Sequence, residues 1–262
     1  MTGHRPRKRF GQHFLHDPAV IDRIISALGA APDDHIVEIG PGEGALTEPL
    51  LERVNRLDVV ELDRDLAARL KERAEDPGKL RVHQGDALEF DFCSLATNGE
   101  QLRVIGNLPY NISTPLLFHL LEQRECIADM HVMLQKEVAD RIVATPGTSD
   151  YGRLGVMIQF YCDVERLFRV SAGAFRPPPK VESTMLRLRP LPRARFEVRD
   201  EAVFAELVKQ AFGQRRKTLR NAAGRLLDTA QIEAAGVDPG LRPQQLSVEQ
   251  FARLSDQIHM RP

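Results

Sequence analysis

Through the first 150 residues, short apolar runs alternate with longer stretches in which apolar residues recur every three or four positions. The runs at 35–39, 57–62, 80–84 and 102–105 read as strands, and the stretches at 45–54 and 64–74 as amphipathic helices. Asp17 followed by Pro18 predicts a capped helix over 18–28, with Val20, Ile21, Ile24, Ile25 and Leu28 on one face and Gly29 ending it. Helices at 113–124 and 136–143 flank a strand near 130–134. This alternation predicts an α/β domain with a mostly parallel sheet covered on both faces. From 155 the text changes to three apparent strands, 156–162, 165–170 and 182–188, expected to close one side of the sheet in antiparallel fashion. Arg189-Pro190-Leu191-Pro192-Arg193 reads as a linker. Beyond it, helical patterns at 200–212, 215–227, 230–235 and 248–258 predict a small all-helical domain, its last helix opened by Ser247 and Gln250 at capping-box spacing. The expected organisation is a basic tail over 1–10, an α/β domain over 11–190 and a helical domain over 193–262.

Composition narrows the function classes. With 42% hydrophobic and 28% charged residues in 262, the chain is an ordinary globular protein. No apolar run approaches the roughly 18 residues of a membrane span, and the basic start is not followed by a signal-type apolar segment. Cys93, Cys126 and Cys162 are odd in number and form no Cys-x-x-Cys pair. No disulfide framework, cysteine zinc site or other metal centre is expected, and a reducing, cytoplasmic setting is the simplest reading. A net charge of -1 speaks against a nucleic-acid partner, but residues 1–10 carry +4, residues 11–192 carry -8 and residues 193–262 carry +3. Residues 209–225 hold six basic side chains and no acid. On spacing alone that cluster is equally a solvated helix face or a phosphate-binding patch.

The first strand ends Gly40-Pro41-Gly42-Glu43-Gly44 and enters a helix, a turn that lets backbone approach a ligand at the carboxyl ends of the strands. The spacing is not the Gly-x-Gly-x-x-Gly of a dinucleotide site. Glu61, 19 residues after Gly42, ends the second strand, where a carboxylate can accept both hydroxyls of a ribose. Asp86 follows the third strand, placed to receive the amine of an adenine. With no Lys or Arg in the loop and two acids, Glu38 and Glu43, beside it, the pocket suits an adenosine carrying a positive charge, such as the sulfonium of S-adenosylmethionine.

The fourth strand ends in Asn107-Leu108-Pro109-Tyr110-Asn111. A neutral adenine amine is a poor nucleophile, so methylating it requires the amine to be held in line and rehybridised rather than met by a strong base. Asn107 offers a side-chain carbonyl, and the Leu108 carbonyl, turned outward by Pro109, offers a second acceptor for N–H groups that become more acidic in the transition state. Tyr110 offers a stacking face worth about 1–3 kcal/mol. The alternative is an Asn-Pro turn leading into a helix, with Tyr110 in the core.

In order along the chain, Arg9-Phe10-Gly11-Gln12-His13-Phe14-Leu15, the glycine loop, Glu61-Leu62-Asp63, Gly85-Asp86-Ala87, Asn107-Leu108-Pro109-Tyr110-Asn111-Ile112-Ser113 and Phe175-Arg176-Pro177-Pro178-Pro179-Lys180-Val181-Glu182-Ser183 resemble the KsgA-type ribosomal RNA adenine dimethyltransferases over about residues 7–258. The resemblance implies a Rossmann-like class I methyltransferase domain using S-adenosylmethionine. It further implies dimethylation of two adjacent adenosines in a hairpin loop near the 3′ end of 16S ribosomal RNA, within the immature 30S subunit; separately from the resemblance, the chain is expected to be a monomer. It places the cofactor against His13, Leu15, Gly40, Gly42, Glu61, Asp86 and Asn107, although many relatives carry asparagine where this chain has His13. It makes Asn107, Leu108, Pro109, Tyr110 and Phe175 the catalytic set, with the proline run holding Phe175 over the pocket so that a flipped adenine is sandwiched against Tyr110. Under it, Arg7, Lys8 and Arg9 of the tail and Arg215, Arg216, Lys217 and Arg220 of the helical domain become RNA-binding residues. Two rivals remain: a large-subunit ribosomal RNA adenine methyltransferase, and a relative that binds nucleic acid without modifying it.

Overall fold

The structure, a computed structural model, describes residues 12–258 apart from positions 75, 77 and 98. The roles expected of Arg7, Lys8 and Arg9 lie outside the described residues. After a two-residue strand β1 (Phe14–Leu15), α1 (Pro18–Leu28) begins at Asp17, whose carboxylate accepts the N–H groups of Ala19 and Val20, and ends at Gly29 with φ 59°. Then follow β2 (His35–Ile39), α2 (Thr47–Leu51), β3 (Arg56–Glu61), α3 (Arg64–Arg73), β4 (Leu80–Gln84), β5 (Leu102–Asn107), α4 (Ser113–Glu122), β6 (Ile127–Gln135) and α5 (Lys136–Val143). The strands β4-β3-β2-β5-β6 are parallel. Chain order reverses between β2 and β5, and in such a sheet the crevice at the carboxyl ends beside that point is the ligand site.

Past α5 the chain runs through α6 (Arg153–Tyr161), β7 (Cys162–Val170), β8 (Phe175–Arg176) and β9 (Ser183–Pro190). β9 pairs antiparallel with β6, β7 lies beyond β9, and β8 pairs antiparallel with β1. The strand expected at 156–162 is therefore mostly helix. Val156, Met157, Ile158, Phe160 and Tyr161 are all buried, and a continuous apolar run does not distinguish a buried strand from a helix buried on every side. The remaining elements are α7 (Glu201–Gly213), α8 (Leu219–Ala222), α9 (Thr229–Ala234) and α10 (Val248–Ser255), so the helix expected over 215–227 shrinks to a single turn.

The chain divides into two compact units: residues up to Ala139 with Glu165–Pro190, and Asp140–Val164 with the residues from Leu191 onward. The helical unit thus recruits 25 residues from ahead of the proline linker, because α6 belongs to its core: the rings of Phe160 and Phe204 stack with centroids 4.0 Å apart. Among the described residues no helix is long and apolar enough to cross a membrane.

Two polar features of the α/β unit matter below. His35, Asp58 and His83, on β2, β3 and β4, form a chain, buried at His35 and Asp58 and half-buried at His83, in which Asp58 Oδ2 lies 2.7 Å from His35 Nε2 and Asp58 Oδ1 lies 2.5 Å from His83 Nε2. Burial works to raise the Asp58 pKa, but the two imidazoles outweigh it and hold the carboxyl well below the usual carboxylate range. The other feature corrects the expectation of no disulfide. Cys93 and Cys126 are bonded, and Cys162 is left free and buried. The turn at Phe92–Leu95 docks on the end of α4, where Cys93 N–H donates to Gln123 Oε1, so two cysteines 33 residues apart meet. An odd count argues against a fully paired framework but not against one bond.

Candidate functional site

The crevice at the carboxyl ends of β2, β3, β4 and β5 is a cavity lined by β1, the glycine loop, Glu61, Asp86 and the 107–112 loop. Gly40, Gly42 and Gly44 have φ of 67°, 59° and 91°, a left-handed conformation that side chains strain to adopt. At Gly42 a Cβ would also meet the Phe14 ring at 3.0 Å, so the loop packs directly beneath β1. Glu61 ties the loop to β3: its carboxylate accepts Gly42 N–H at 3.1 Å and Asp63 N–H at 2.8 Å. Each oxygen keeps a further lone pair for a ribose hydroxyl. Burial raises the Glu61 pKa against the pull of those two N–H groups. Asp86 spends Oδ1 on Leu88 N–H at 2.9 Å, leaving Oδ2.

Beneath the loop, Glu38 is 2% exposed and accepts a 2.6 Å hydrogen bond from the Thr47 hydroxyl. Burial, with Glu61 nearby, pushes its pKa up to about 7. The unfolded chain releases that proton near pH 4.3. Between those values the native protein holds a proton that the unfolded chain has lost, so stability falls as pH rises, by about 3–4 kcal/mol across the window. Glu38→Gln removes that slope. Urea unfolding of wild type and variant from pH 5 to 8 should show the variant gaining relative stability until about pH 8, and parallel curves would refute the assignment.

Asn107 ends β5 with its side-chain N–H₂ donating to the His13 backbone carbonyl at 3.0 Å. A backbone carbonyl only accepts, which fixes the amide and leaves Asn107 Oδ1 as a free-standing acceptor in the cavity. Leu108 is fully buried and its N–H bonds to the Met133 carbonyl, holding the turn against β6. Pro109 and Tyr110 also line the cavity, and Tyr110 Oη lies 2.8 Å from Ser183 Oγ. His13 and Leu15 enter on β1 and the residue before it, the His13 Nδ1 lying 2.7 Å from the Pro177 carbonyl.

The structure brings together His13, Leu15, Gly40, Gly42, Glu61, Asp86 and Asn107–Tyr110, but not Phe175. Phe175 is 1% exposed and belongs to the core with Leu15, Ile24 and Ile25. The β1–β8 ladder turns Arg176 to solvent and therefore turns Phe175 inward. The ring that faces Tyr110 is instead His13, centroid to centroid 5.3 Å at 30°. Sequence reasoning missed this contact and the Ser183 hydroxyl. The serine closes the same motif as Phe175, which was its only signal. In the helical unit Arg215, Arg216, Lys217 and Arg220 are all exposed, and Arg215 donates to the Ser149 carbonyl.

The donor set suits S-adenosylmethionine: carboxylates for a ribose and an adenine amine, apolar walls from Ile39, Leu62 and Ala87, and buried acid for a cation.

Residues 3–259 match the ribosomal RNA adenine dimethylase family. The chain is 56% identical over 255 residues to a ribosomal RNA small subunit methyltransferase A of Pseudomonas putida, covering 97% of this chain and 96% of the relative. It is 55% identical over 258 residues to one from Aromatoleum aromaticum, covering 98% and 96%. Among solved structures, a dimethyladenosine transferase from Plasmodium falciparum superposes with a TM-score of 0.78 at 28% identity, covering 92% of this chain and 96% of that one. The 23S rRNA methyltransferase ErmE superposes with a TM-score of 0.71 at 28% identity, covering 94% and 99%. A sheet that reverses at β2/β5, a glycine loop braced by Glu61, and a match across nearly the whole length leave one conclusion: this chain belongs to the ribosomal RNA adenine dimethylase family.

Proposed function

We propose that the chain is an S-adenosylmethionine-dependent small-subunit ribosomal RNA adenine dimethyltransferase, acting on two adjacent adenosines in a hairpin loop near the 3′ end of 16S ribosomal RNA within the immature 30S subunit. It works as a cytoplasmic monomer. The observation that carries the chemistry is Asn107, whose amide is pinned by His13 so that an acceptor oxygen projects into the cavity that Glu61 and Asp86 line.

Bound S-adenosylmethionine supplies an electrophilic methyl group on a positively charged sulfur. Glu61 would hold the cofactor ribose and Asp86 its adenine amine, and the glycine loop would let the rest of the cofactor approach backbone. Asn107 Oδ1 and the Leu108 carbonyl accept the two N–H groups of the target amine, drawing its lone pair out of the ring and toward the methyl. Tyr110 stacks the target base and fixes its plane. The alkylated nitrogen is cationic and strongly acidic, so its proton passes to water and no side chain need act as a strong base. The same amine, once methylated, presents one N–H for a second round.

The experiment incubates the protein with labelled S-adenosylmethionine and undermethylated small subunits, large subunits or duplex DNA, and maps the label. Label on the paired adenosines of 16S ribosomal RNA is expected. Label confined to large-subunit RNA or DNA would sink the assignment, and no label on any substrate would favour a binding-only protein.

A further inference from the structure

We propose that Ser183 is a positioning residue for the target base, acting through Tyr110. This rests on the reading that Tyr110 stacks that base. Tyr110 lies in the 108–112 loop between β5 and α4, outside any helix or strand. Its hydroxyl is 2.8 Å from Ser183 Oγ. Ser183 is fully buried at the start of β9, in register with Gln135 on β6, and the next backbone bond, Lys136 N–H to the Glu182 carbonyl, continues the ladder. The hydroxyl end of a loop tyrosine is thereby referred to the central sheet. On one side the ring is backed by His13, whose Nδ1 is engaged with the Pro177 carbonyl.

A base sandwiched between two rings needs about 7 Å between them, twice the van der Waals stacking distance. The 5.3 Å between His13 and Tyr110 leaves no such space, so the base stacks on the opposite face of Tyr110. With a single stacking face, the tilt of the phenol sets where the exocyclic amine falls relative to Asn107 Oδ1. A misplacement of about 1 Å can cost on the order of 10²-fold in rate. The hydroxyl serves geometry rather than proton transfer: burial raises its pKa, which keeps it a neutral phenol. Ser183 therefore links the last residue of the proline-rich motif to the tyrosine of the Asn-Leu-Pro-Tyr motif.

The test is a double-mutant cycle of Ser183→Ala and Tyr110→Phe in single-turnover methylation of undermethylated small subunits, with S-adenosylmethionine affinity measured alongside. Each single variant should lose roughly tenfold in the chemical step with cofactor affinity within about twofold, and the double variant should be no slower than either single one. A 2-aminopurine at the target position should show a matching loss of stacking in both. Multiplicative losses, or a wild-type rate in Ser183→Ala while Tyr110→Ala is inactive, overturn the role of Ser183 and leave base stacking intact. A wild-type rate in Tyr110→Ala overturns the stacking reading itself. Should Ser183→Ala not fold, a wild-type rate in Tyr110→Phe overturns the proposal alone.

Discussion

Asn107→Ala lowers single-turnover methyl transfer by about 10²–10³-fold or more while leaving RNA affinity within about threefold. The variant loses two things at once: the acceptor for the target amine and the donor that satisfies the His13 carbonyl. Asn107→Asp separates them. A carboxylate still accepts from the amine but cannot donate to His13, so its ionised form repels the very carbonyl that positions Asn107 in wild type. Rapid-quench measurement of both variants at saturating S-adenosylmethionine, with filter binding of the RNA, reads the effect. Equal loss of transfer and of RNA binding would place Asn107 in substrate docking rather than in the chemical step.

A second large effect concerns salt. Replacing Arg215, Arg216 and Lys217 together by alanine removes three exposed charges from the helical unit. Each phosphate contact contributes about 0.9 to the slope of log affinity against log salt, so the slope should flatten by up to about 3 units. Between 50 and 200 mM salt that corresponds to roughly 40-fold less change in affinity than wild type shows. Contacts to phosphate would make the loss the same for hairpins of different loop sequence. An unchanged slope would return these residues to an ordinary solvated surface. The charge partition along the chain agrees with that assignment: residues 11–192 carry -8 and residues 193–262 carry +3.

Much of this architecture was legible in the text, for identifiable reasons. Asp17, Pro18 and Gly29 delimit α1 because a cap, a first-turn proline and a left-handed glycine each act locally. Glu61, Asp86 and Asn107 were legible because each ends a strand or follows its end within two residues, and strand ends in a parallel sheet share one edge. Where tertiary burial decides, the text was ambiguous. The run at 156–162 is apolar on all sides in α6, a pattern shared with central strands. Phe175 was expected beside Tyr110 because a proline run follows it, but the two-residue ladder with β1 sends the ring into the core. The Cys93–Cys126 bond depends on Gln123 docking a turn against α4, a contact 30 residues removed in sequence from Cys93.

The His35–Asp58–His83 chain reaches beyond local stability. It ties β2, β3 and β4 together through His35 at the start of β2, Asp58 midway along β3 and His83 near the end of β4, and the chain beyond each of these residues brings one group to the cavity: Gly40, Glu61 and Asp86. Asp58 and Glu61 lie three positions apart on β3, about 10 Å of extended chain. A strand that slid by one position would carry its carboxyl-end group about 3 Å along the sheet axis and turn its side chains to the other face. One carboxylate shared between two imidazoles thus acts as a vernier stop on three strands. The levelness of the cavity's acidic lining is thereby set by residues that do not themselves line it.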